Sequence, residues 1–171
     1  MIRLRLLPGA AAVLAALVAA PPALADDASL FGAYNARQGD VNAAGDEYLR
    51  AVRRFNRHPT ARNLRRIVRA DRHINAVLTA IKSDLADQQA SSDHGRKARA
   101  SAFREVRWWR RANIFEIRSI RAALHGRRAA ARYWIRRADH TVQRAYAQGR
   151  RAVRHFRAVG LVSPSGPISA N

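Results

Sequence analysis

Ala131, Ala138, Ala145 and Ala152 recur every seven residues, with Ile135, Val142, Gly149 and Phe156 set between them. Apolar residues alternating at spacings of three and four form a stripe along one face of a helix, and such a stripe is stable only when buried against another helix. Small residues at one seam position let the neighbouring backbone approach closely. The same spacing runs through three earlier segments. Tyr34, Val41, Tyr48 and Phe55 lie seven apart, with Ala44 and Ala51 between them. Leu64, Ile67, Asp71, Ile74, Leu78, Ile81 and Leu85 form the cleanest stripe, and Phe103, Val106, Trp109, Ile117, Ile120 and Leu124 form the next. No strand pattern or hairpin turn competes. The chain is therefore read as all-α, an antiparallel bundle of three to four long helices with heptad-like seams.

Punctuation in the sequence places the ends. His58-Pro59 stops the first segment, because the residue before proline is pushed away from helical geometry. Gly32, Gly39 and Gly45 weaken that segment, with a break near Gly39. The second helix spans residues 60 to about 90, and Ser91-Ser92-Asp93 supplies a turn and an N-cap for the third, from about residue 95 to 124. At His125-Gly126 the chain either reverses or kinks: glycine suits a helix C-terminus, yet no capping residue follows to start a new helix. Segments of about 30 residues make rods of roughly 45 Å.

Residues 1–25 are read as a secretory signal peptide followed by a helical domain over 26–160 and a disordered tail over 161–171. Arg3 and Arg5 form the basic start, Ala10 to Ala20 the apolar run, and Ala23-Leu24-Ala25 the small-residue cleavage site. The apolar stretch falls short of the ~20 residues of a membrane span. The expected location is exported, periplasmic or extracellular. With no cysteine, the fold must hold by packing rather than by disulfides.

Charge narrows the function classes. The 171 residues carry 32 Lys or Arg against 12 Asp or Glu, a net charge of +20, and only Lys82 and Lys97 are lysine. From His94 onward 19 basic residues face three acids, Glu105, Glu116 and Asp139. Such a surface is best tolerated beside a polyanion, and guanidinium forks bind phosphate and carboxylate bidentately. The residues expected to bind anions are Arg104, Arg107, Arg110, Arg111, Arg132, Arg136 and Arg137. Trp108 and Trp134 stand beside them as aromatic contacts, either exposed for adhesion or turned to the core. Trp109 lies on the apolar stripe and belongs to the core. The partner is an anionic polymer or anionic lipid surface, with nucleic acid one candidate. The rival reading is a protein-interaction or structural module, self-associating through a coiled-coil face or docking through Trp108, Ile114 and Phe115, with incidental charge.

Phe31-Gly32 through Gln38-Gly39-Asp40, with Ala44, Tyr48 and Ala51, resembles a single tetratricopeptide repeat over about 34 residues. The resemblance implies a helix pair and a scaffolding role. The next stretch does not repeat the pattern, and stacked repeats need about three copies to bury a core.

Asp71 interrupts the second stripe, where an unpaired charge is costly, so it is expected to meet an Arg or His from another helix and set register. No catalytic or metal site and no cofactor is expected. No two of the six histidines fall three or four apart, and there is neither a thiol nor a Gly-x-Ser-x-Gly elbow. Carboxylate catalysis would have to draw on Glu105, Glu116, Asp71 or Asp139, and their basic neighbours are expected to lower their pKa values.

Overall fold

A computed structural model describes residues 25–161, so the expected signal peptide and tail lie almost wholly outside the described residues. Those described are helical nearly throughout: α1 (Ala25–Asn35), α2 (Gln38–Arg57), α3 (Ala61–Ala86), α4 (Asp93–Leu124) and α5 (Arg128–Ala158). Four are long. The fifth arises because the first segment breaks at residues 36–37, just before the expected position at Gly39.

The ends follow local chemistry. Thr60 caps α3, its side-chain oxygen accepting from Asn63 N at 3.3 Å, and the Asn63 amide closes the end of α2 on the His58 carbonyl at 2.7 Å. Ser92 caps α4 by accepting from Gly95 N at 2.8 Å. Asp27, fully buried on α1, in turn fixes this loop, accepting from Ser91 N at 3.0 Å and from the Ser92 hydroxyl.

The open question at His125-Gly126 resolves as a chain reversal. Gly126 adopts φ 71°, in the left-handed region that a side chain disfavours. Gly126 N donates to Ala123 O at 3.0 Å and Arg127 N to Ala122 O at 2.9 Å, the paired bonds of a Schellman ending. The next helix starts with Arg127 in the capping position and no side-chain cap.

Cross-helix pairs give the directions. Ser119 meets Ala131, Phe115 meets Trp134, Trp109 meets Tyr146 and His94 meets His155, so α5 runs antiparallel to α4. Glu47 with His73 pairs α2 and α3, and Asn75 with Asn113 pairs α3 and α4, each antiparallel. The tightest seam is α4 on α5. Ala131, Ala138, Ala145 and Ala152 are all buried there, as the seven-residue spacing requires.

Two apolar clusters fill the interior. Leu30, Phe31, Leu78, Ile81, Leu85, Ala98, Ala102, Val106, Ala152 and Phe156 form one. Tyr48, Ala51, Val52, Ile67, Val68, Ala70 and Ile120 form the other. Between them in chain order on α3 and α4 fall Asp71, Asn75, Asn113 and Glu116, a polar layer across the core.

Phe156 is fully buried, with its ring 5.0 Å from Phe31 and 5.6 Å from Tyr34, so Phe156→Ala should cost about 3–5 kcal/mol in urea unfolding. Ala145→Leu would force the tight seam apart and should cost about 1–3 kcal/mol in the same measurement.

Candidate anion-binding face

On α4 a stripe runs Trp108, Arg111, Phe115, Arg118 at spacings of three and four. On α5 the facing stripe is Tyr133, Arg136, Arg137, His140 and Arg144. Because the alanine seam holds the helices close, these stripes meet along the outer edge. There they form a shallow groove of about 480 Å³ lined by Trp108, Arg111, Phe115, Tyr133, Arg136, Arg137, His140, Thr141 and Arg144.

Guanidinium groups and rings alternate across it. Arg111 lies 5.8 Å from the Trp108 ring and 5.5 Å from Phe115, and Arg144 covers Trp108 from α5 at 5.0 Å. Arg137 reaches Phe115 at 5.3 Å and Tyr133 at 5.6 Å, and donates to the Tyr133 hydroxyl at 2.6 Å. Beyond the groove, Phe115 stacks on Trp134 at 5.5 Å, and Arg118 lies 4.9 Å from the Trp134 ring. Ring faces orient guanidinium groups without neutralising them, so the charge stays available to an incoming anion.

The acids of these two helices do not quench this face. Glu116 is buried and accepts from the Tyr48 hydroxyl at 2.6 Å. Glu105 is partly buried and accepts from the Tyr34 hydroxyl at 2.5 Å and from Trp109. Gly149 makes room for it: a Cβ there would stand 2.6 Å from Glu105 Oε1. Asp139 is exposed but forms no ion pair among the described residues, where no arginine from Arg104 to Arg157 pairs with a carboxylate.

Several sequence expectations need correction. Asp71 is buried as expected, but no Arg or His meets it. Neither oxygen has a hydrogen-bond partner, and the charged group acting on it is another acid, Glu116. The acidic residues were expected to titrate low; three titrate high. Burial lifts Asp71 well above the ordinary carboxylate range, with Glu116 adding to the shift. Burial raises Glu105 to about 7 against the hydrogen bonds from Tyr34 and Trp109. It raises Glu116 to about 7, opposed by the Tyr48 hydroxyl and reinforced by Asp139. Desolvation of a buried carboxylate outweighs attraction to arginines whose charge is screened by water. None of these three carboxylates lines the groove.

Of the arginines read from sequence, Arg111, Arg136 and Arg137 enter the groove with Trp108. Arg104, Arg107, Arg110 and Arg132 do not line it. Arg107, Arg110 and Arg132 each sit one residue before a groove residue, and one step on a helix turns a side chain by about 100°. Arg104 shares the Trp108 face one turn earlier. Trp109 packs against the core beside Tyr146, as expected. The docking stripe of Trp108, Ile114 and Phe115 does not form: Phe115 is buried, Trp108 is half-covered, and only Ile114 stands exposed. Arg118, His140 and Arg144 were missed, although the three-and-four spacing through Arg137 and His140 to Arg144 was present. His94 and His155 meet across α4 and α5 with Nδ1 atoms 3.2 Å apart, but no group of three or more His, Asp or Glu able to hold a metal exists among the described residues.

Comparison with known proteins finds no matching family model, no matching curated protein and no matching solved structure.

The raised carboxyls set the pH dependence of folding. The native state holds protons that the unfolded chain releases near the ordinary glutamate value of 4.5, so stability falls as pH rises from about 4.5 to about 7. Urea midpoints measured across that window should decline for the wild type and decline less for Glu116→Gln, which keeps an acceptor for Tyr48.

Proposed function

We propose that the protein is an exported, non-enzymatic helical bundle that binds polyanions or anionic envelope surfaces through the α4–α5 face. Its antiparallel, heptad-seamed helices serve as a rigid mount, and the expected signal peptide delivers the mature bundle outside the cytoplasm. The observation that carries this reading is the absence of any arginine–carboxylate pair from Arg104 to Arg157 among the described residues, on a face where rings hold the guanidinium groups in place. Binding proceeds by multivalent charge pairing with release of counterions, while Trp108 and Tyr133 add apolar contact. The docking-module reading is less favoured because Ile114, Tyr133 and Val153 are the exposed large hydrophobic residues among those described, too few for a continuous apolar stripe.

Titration of the protein with heparin, followed by tryptophan fluorescence at several salt concentrations, tests this. Affinity should fall steeply with salt, and Arg111→Gln/Arg137→Gln/Arg144→Gln should reduce the slope of log affinity against log salt by about 2–3. Arg107→Gln/Arg110→Gln/Arg132→Gln, which removes the same charge outside the groove, should affect affinity less. Salt-insensitive binding, or equal losses in the two variants, would refute the assignment.

A further inference from the structure

A second basic concavity lies on the opposite hairpin and differs in chemistry. Arg50, Arg53, Arg54 and Arg57 recur at spacings of three and four on α2, and Arg66 and Arg69 face them from α3. Together with Ala51 and Glu47 they line an open concavity of about 450 Å³. Six guanidinium groups thus share the groove with one carboxylate, and Glu47 is engaged by His73 Nδ1 at 2.8 Å.

We propose that this α2–α3 groove is a site for a condensed phosphate, a short run of linked phosphate groups gripped by Arg54 and Arg57 from one helix and Arg66 and Arg69 from the other. Three observations select that ligand. The groove carries an excess of five positive charges, whereas a single phosphate group brings only about 1.5–2 negative ones, so linked phosphates match it better. Arginine forks offer paired donors that fit adjacent phosphate oxygens bidentately. No aromatic ring lines the groove, and the exposed large hydrophobic residues among those described all lie on α4 and α5, so the site offers no aromatic platform for a base and no apolar surface for an acyl chain.

The cluster is also under electrostatic tension. Arg66 has its pKa lowered by burial and then by Arg54, Arg62 and Arg69, and its one hydrogen-bond partner is the neutral Asn63 side chain, at 3.3 Å. Bound phosphate removes that repulsion, so ligand binding and folding are coupled. The proposal does not depend on the α4–α5 reading, because it uses different helices and is tested by a different triple variant.

Calorimetric titration of the whole protein with tripolyphosphate, at about 0.1 M salt to screen diffuse attraction, reads the site directly. Arg54→Gln/Arg66→Gln/Arg69→Gln should lose at least about tenfold in affinity. The α4–α5 variant Arg111→Gln/Arg137→Gln/Arg144→Gln should bind within about twofold of wild type. The first variant relieves like-charge repulsion, so its ligand-free melting temperature should equal or exceed that of wild type. Should it melt lower instead, Arg66→Lys keeps the charge but removes the fork, and should still weaken binding several-fold. Equal weakening in the two triple variants, or tripolyphosphate binding no tighter than inorganic phosphate, would overturn the proposal in favour of diffuse charge. Capture by phosphatidic acid vesicles through these arginines, without tripolyphosphate binding, would overturn it in favour of a lipid headgroup.

Discussion

Close packing of α4 on α5 through Ala131, Ala138, Ala145 and Ala152 is the contact on which the rest of the molecule depends. With a methyl group at every seventh residue of the seam, the two backbones approach until residues beside it touch across the gap. That approach brings Arg144 over Trp108, Arg137 over Phe115, and the Trp134 ring onto Phe115. Larger seam residues would separate the same stripes and leave two unrelated rows of arginine. The Gly126 reversal makes the pairing local in sequence, so little loop-closure entropy opposes it.

The interior solves a problem that the surface creates. A helix hairpin this basic would ordinarily use its acids as surface partners, yet Glu105 and Glu116 turn inward onto Tyr34 and Tyr48. Each glutamate accepts from a hydroxyl on another helix, so the two bonds tie α1 and α2 to α4. In a continuous helix the tyrosines would be about 21 Å apart, against about 16.5 Å for the two glutamates on α4. The interruption at residues 36–37 falls between the two tyrosines, so their separation is not that of one straight helix. The consequence is a division of labour: carboxyls held partly protonated inside, and among the described residues from Arg104 to Arg157 guanidinium groups without a carboxylate partner outside. Asp71, without a hydrogen-bond partner beside Glu116, is the most costly element of that layer.

The two basic grooves share a charge sign and little else. The α4–α5 groove interleaves rings with arginines, which suits an extended ligand with both charged and flat or apolar parts. The α2–α3 groove is almost wholly guanidinium. The three-and-four spacing of Arg62, Arg65, Arg66, Arg69 and Arg72 puts them on one face of α3, but that spacing carries no sign that α2 brings four more arginines to the edge of the face.

Helix positions, the Ser92 cap and the buried seams were legible because each depends on neighbours within a turn or two: Ser92 caps α4 from the turn expected there, and the four alanines are buried where their period puts them. The basic character of the α4–α5 face was legible for the same reason, as was the core position of Trp109. What tertiary structure alone decided was which residues face one another across helices. It set Arg107, Arg110 and Arg132 outside the groove and Arg144 inside it, placed Glu116 rather than a cation near Asp71, and opposed α2 to α3 as a second groove. Periodicity fixes the angular position of a side chain on its own helix. The rotation and register of the neighbouring helix depend on how the two surfaces pack, and from that follow the burial that raises a carboxyl's pKa and the proximity that turns separate arginines into a site.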